Sequence, residues 1–145
     1  MKLNLLVIMF LSLSFGCTKK MGPEESLREF VRLSINGKMD KSTLLDSTTG
    51  NLKNELDALD EDQMSKYLKV EGASRDSFRV NLNNCQPTIC FLTYTLKYEQ
   101  SSNGAKSFDV ELKKMAELRL VEEKWLLADI TDIKTYYQAE QPIEP

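Results

Sequence analysis

Apolar residues change their spacing midway along the chain. Between residues 23 and 68 they recur every three or four positions: Leu27, Phe30 and Val31, then Leu44 and Leu45, then Leu52, Leu56 and Leu59, then Met64, Tyr67 and Leu68. That period predicts amphipathic helices. Pro23 suits a first helical turn, where its missing N–H would have no partner, and Glu24 and Glu25 complement the positive end of the helix dipole. Gly37 is placed to end this helix, and a short one is expected over 40–46. A third helix is expected over 51–59, and Asp60 with Gln63 reads as a capping box that opens a fourth.

Downstream the period falls to two. Phe78, Val80 and Leu82 alternate with polar residues, as do Leu92, Tyr94, Leu96 and Tyr98. Phe108, Val110, Leu112, Ala116, Leu118 and Leu120 repeat the pattern, and a last strand is expected over 124–135. Such alternation marks antiparallel strands with one buried face. Residues 101–106, with Asn103-Gly104, form a turn, and 139–145 read as a flexible tail. Helices first and a meander afterwards is an α+β arrangement: N-terminal helices packed on a curved four-stranded antiparallel sheet.

Three stretches stand out: Pro23-Glu24-Glu25-Ser26-Leu27-Arg28-Glu29-Phe30, the Asn36-Gly37-Lys38 turn, and Ala116-Glu117-Leu118-Arg119-Leu120 leading into Lys124-Trp125-Leu126-Leu127-Ala128-Asp129-Ile130. On these residues the chain resembles the cystatin-like, cone-shaped superfamily named for nuclear transport factor two, and within it small bacterial lipoproteins. The resemblance spans about residues 23–136 and implies a single domain over 23–138. The superfamily holds enzymes, ligand carriers and dimerising scaffolds, so the fold selects no activity. Its enzymes often place His, Asp and Tyr in the cone, and this chain has no histidine.

Ahead of the domain, residues 3–15 form an uncharged, largely apolar run after Lys2. A bilayer-spanning helix needs roughly 20 residues, so the run fits the core of a signal peptide over 1–16. Ser14-Phe15-Gly16-Cys17 resembles a bacterial lipobox, with the small Gly16 just before the cut; Ser14 and Phe15 depart from the usual Leu and small residue. The resemblance implies a diacylglycerol on the Cys17 thiol, cleavage before Cys17, and a tether over 17–22. A plain secretory signal or an uncleaved anchor are the other readings of the same run. Lipidation places the protein in the cell envelope, at the outer membrane if the cell has two membranes.

Composition narrows the chemistry. With 41% apolar and 28% charged residues the chain is an ordinary globular sequence. Its formal charge of −3 becomes −4 without Lys2, and no basic stripe suits nucleic acid. Lack of histidine removes the usual general base and the commonest metal ligand, and neither a cofactor nor a metal is expected. Cys85 and Cys90 flank Gln86-Pro87-Thr88-Ile89 and are expected to pair in an oxidising compartment. That pairing opposes odd positions to even ones, so a bulge is needed, and Asn83-Asn84 is the expected place.

Lys114 interrupts the apolar face of its strand. If Glu122-Glu123 is a two-residue turn, Leu120 faces Trp125, Leu118 faces Leu127, Ala116 faces Asp129, and Lys114 lies diagonal to Asp129. Lys114, Asp129, Tyr94, Tyr98 and Trp125 are therefore candidates to line a pocket, with a rim ion pair and an aromatic core as the plainer alternatives. The same register puts Met115, Val121, Leu126, Ala128 and Ile130 on the opposite face, an apolar patch for a second copy, an envelope protein or the chain's own tail. These features point to a membrane-anchored, non-enzymatic binding or interaction module. A carrier or enzyme for a small apolar ligand in the cone is the alternative.

Overall fold

The computed structural model describes residues 20–35, 40–68, 73–102 and 106–139. Cys17 with the leader, Gly37, Asn103-Gly104 and residues 140–145 lie outside them. Among the described residues four helices precede four strands. The helices are α1 (Pro23–Ile35), α2 (Lys41–Asp46), α3 (Gly50–Ala58) and α4 (Glu61–Leu68). The strands are β1 (Ala73–Cys85), β2 (Ile89–Ser102), β3 (Lys106–Val121) and β4 (Lys124–Ala139), antiparallel in the order β1-β2-β3-β4. The α+β expectation holds, and β4 runs past its expected end.

Two of the helices, α2 and α4, start where a side chain accepts an orphan N–H group, whereas Thr49 before α3 makes no such bond. Asp40 accepts from the Thr43 N–H at 2.7 Å. Asp60 accepts from the Gln63 N–H at 2.7 Å, while Gln63 Oε1 accepts from the Asp60 N–H at 3.1 Å, the reciprocal capping box. Along α1, Leu27, Phe30 and Val31 are buried at helical spacing, and Arg28 pairs with Glu24 on the wet side at 2.9 Å.

The helices and one face of the sheet close a common core. Leu44, Leu52, Leu56 and Met64 meet Leu92, Tyr94, Leu96, Ala116, Leu118 and Leu127, all nearly inaccessible to water. Burying each leucine side chain fully contributes about 1.5–3 kcal/mol, so this face decides the register.

Among the described residues four register shifts, two in β1 and two in β4, shape the sheet differently from the expected register, and the first lies between Ala73 and Phe78. In β1 the extra residue is Asn81, not Asn83-Asn84: Val80 pairs with Tyr94, and Leu82 with Thr93. Asn81 Nδ2 donates to the Thr95 hydroxyl across the ladder, which gives the bulged residue a polar partner there.

In β4 the extra residues are Ala128 and Ile133. Glu117 pairs with Asp129, Ala116 with Ile130, and Lys114 with Asp132. The loop before α3 explains the first of these. The Thr49 N–H donates to the Leu127 carbonyl at 2.7 Å, and the Leu127 N–H to the Ser47 carbonyl at 3.1 Å. A short parallel bridge between Thr48 and Leu127 results. The strand is drawn toward the helices, so Leu127 and the next residue, Ala128, are both buried.

Candidate functional site

At the end of the sheet the chain turns through Glu122 and Glu123, both in the left-handed region (φ 48° and 67°). Two positive φ values mark the hairpin turn whose twist matches the strands. Leu120 then faces Trp125 and Leu118 faces Leu127, as the sequence suggests. A cleft of about 440 Å³ opens between Trp125 and the Ser26, Glu29, Phe30 and Leu33 side of α1. Pockets that hold small apolar molecules are of about this size or larger. Phe30 and Leu127 make its buried floor, Leu33, Trp125 and Leu126 its walls, and Met21 its exposed lip.

Charge gathers at the rim of this cleft. Lys20 Nζ donates to Glu123 Oε1 at 2.8 Å, tying the segment before α1 to the hairpin turn. This hydrogen bond and the lysine charge hold the Glu123 carboxyl below its usual range. Both side chains are largely in water, so the pair orients the segment more than it stabilises the fold.

A second concavity, about 660 Å³, lies on the helix-free face of β2, β3 and β4. Its charges are partly matched, with Lys97 and Glu111 paired at 2.8 Å. Tyr98 borders it, and burial, with Tyr137 next in weight, pushes the Tyr98 phenol above its ordinary pKa. The phenol is thus a neutral hydrogen-bonding group near pH 7.

The five pocket candidates are not brought together. Tyr94 is buried in the core with its ring centroid 5.5 Å from that of Phe78. Tyr98 belongs to the polar concavity and Trp125 to the apolar cleft. Lys114 keeps its place on the core-facing row but pairs with Asp132 at 2.9 Å, a rim ion pair with a different acid. Asp129 stands opposite Glu117 on the other face, because the bulge at Ala128 reverses the sides as far as the second bulge at Ile133.

The same bulge divides the proposed apolar patch. Ala128 is buried beneath α3 and Ile130 packs against the core, so neither belongs to an outer face. Leu126 walls the cleft, while Met115 and Val121 stay on the helix-free side. Met21, Phe30 and Leu33 were not foreseen as site residues. Their signal is the i, i+3 spacing of Phe30 and Leu33, which reads equally as ordinary core. Among the described residues no three acidic or cysteine side chains converge as metal ligands would.

No protein-family model matches the chain, and no curated protein matches its sequence. Among solved structures it is similar to the solution structure of a SEC-C motif containing protein from Rhodopseudomonas palustris. The TM-score is 0.57 over 77% of this chain and 79% of that one, at 12% identity. The likeness is one of fold. At that identity the α+β architecture is shared, and no activity comes with it.

Proposed function

We propose that the chain is a membrane-anchored lipoprotein whose domain is a non-enzymatic binding module in the cell envelope. On this reading residues 1–16 are removed, Cys17 carries the lipid, and the domain belongs to the cone-shaped superfamily that its sequence resembles. The observation that supports it best is the apolar cleft of Phe30, Leu33, Trp125 and Leu126, beside the segment that leads to Cys17. Its charged residues sit at the rim in water, where they suit orientation rather than proton transfer. Such a surface fits an apolar partner.

The carrier reading keeps one support, the size of the cleft, and loses another, since Tyr94 fills the core instead of lining a cavity. Native and denaturing mass spectrometry of the protein purified from envelope membranes separates the two. A binding module gives the same mass in both or retains only bilayer phospholipid, whereas a carrier gives a native mass increased by a small apolar compound of another class.

A further inference from the structure

The cleft opens at the end of the domain where the anchor would attach. Cys17 precedes Lys20 by three residues, which span at most about 11 Å when fully extended. Lys20 is itself tied to Glu123 on the hairpin turn. A lipid on Cys17 therefore holds the turn and the mouth of the cleft close to the bilayer, a step that rests on the lipoprotein reading above.

The surface found there suits a bilayer. Met21, Leu120 and Val121 are 46%, 36% and 39% exposed, unusual for large apolar side chains clustered around one turn. Lys20 and Lys124 balance Glu122 and Glu123, so this end has no net charge for phosphate headgroups to repel. Trp125 presents an apolar body with one polar N–H, the amphipathic character that places tryptophan at membrane interfaces.

We propose that the hairpin end of the domain docks on the lipid bilayer and that the cleft of Phe30, Leu33, Trp125 and Leu126 takes up an acyl chain of a bilayer lipid. Anchoring by a covalent lipid alone leaves a domain free to tumble on its tether. The docked cleft fixes one orientation, with the turn at 122–123 toward the membrane and the opposite end of β2 and β3 away from it. It also adds apolar burial to that of the anchor's own acyl chains.

Trp125 is the single tryptophan, which makes the cleft its own reporter. The lipidated full-length protein, placed in phosphatidylcholine vesicles with or without bromine midway along the acyl chains, gives the test. The expected result is loss of most of the Trp125 emission in brominated vesicles, restored in a Leu33→Glu variant that still floats with them. Unchanged emission from wild-type protein that does float would overturn the docking and leave the anchor standing. Shielding of Trp125 from aqueous acrylamide without bromine quenching would also overturn it, since the cleft is then filled by the chain itself. Wild-type protein that stays with the soluble fraction would remove the anchor, and the inference with it.

Discussion

Ala128 and Gly50 meet where α3 begins. A β-carbon on Gly50 would lie 3.5 Å from the Ala128 carbonyl, an ordinary contact, but Gly50 has φ +59°. The cost of Gly50→Ala is thus conformational, about 1–2 kcal/mol, and a lowered urea midpoint with unchanged slope reads it out. Ala128→Leu fails for the opposite reason, since the site is already filled: overpacking costs about 1–3 kcal/mol in the same assay. Asp40 carries a pH signature. The hydrogen bond from the Thr43 N–H depresses its pKa in the folded state. The stability it contributes is present above the unfolded aspartate pKa and is lost as pH falls through the lower, folded value. Asp40→Asn keeps the cap and is expected to flatten the acid limb of a stability-versus-pH curve.

Among the elements, the β1–β2 hairpin is the one with a covalent tie. The Cys85 and Cys90 sulfurs lie at disulfide distance, with Cys90 in the core. Closing so short a loop stabilises the fold by about 2 kcal/mol on the chain-entropy model, and reduction is expected to remove that amount from the unfolding free energy. Helices were legible because spacing and caps agree: the capping box of Asp60 and Gln63 and the Leu27, Phe30, Val31 stripe need no tertiary information. Strands were legible as elements, while the two-residue turn was only a condition of the register, because Glu-Glu is a poor hairpin dipeptide. The need for a bulge in β1 was legible from the Cys85–Cys90 pairing, but its place at Asn81 and the bulge at Ala128 were not, because each answers to a partner far along the chain. Asn81 answers to Thr95, and Ala128 to the 47–50 segment. A one-residue slip moves every later side chain to the other face, which is why Asp129, Ala128 and Ile130 stood on the wrong sides.

For the whole molecule, the similarity to the SEC-C motif containing protein supports the architecture and nothing finer. What singles out this chain is the coincidence of three features at one end of the sheet. A strained turn carries two glutamates where Asn-Gly would relax the backbone, an apolar cleft opens beside it, and the way to Cys17 starts there. The candidate pocket was half legible. Trp125 was named, but its neighbours Phe30 and Leu33 were indistinguishable from core until α1 was placed against the hairpin. Both proposals depend on what happens at Cys17, so the intact mass of the full-length protein purified from host membranes tests them most directly. Loss of residues 1–16 together with the added mass of a diacylglyceryl group on Cys17, absent in a Cys17→Ser variant, is the expected result. An uncut chain, or one cut elsewhere with an unmodified Cys17, would contradict it.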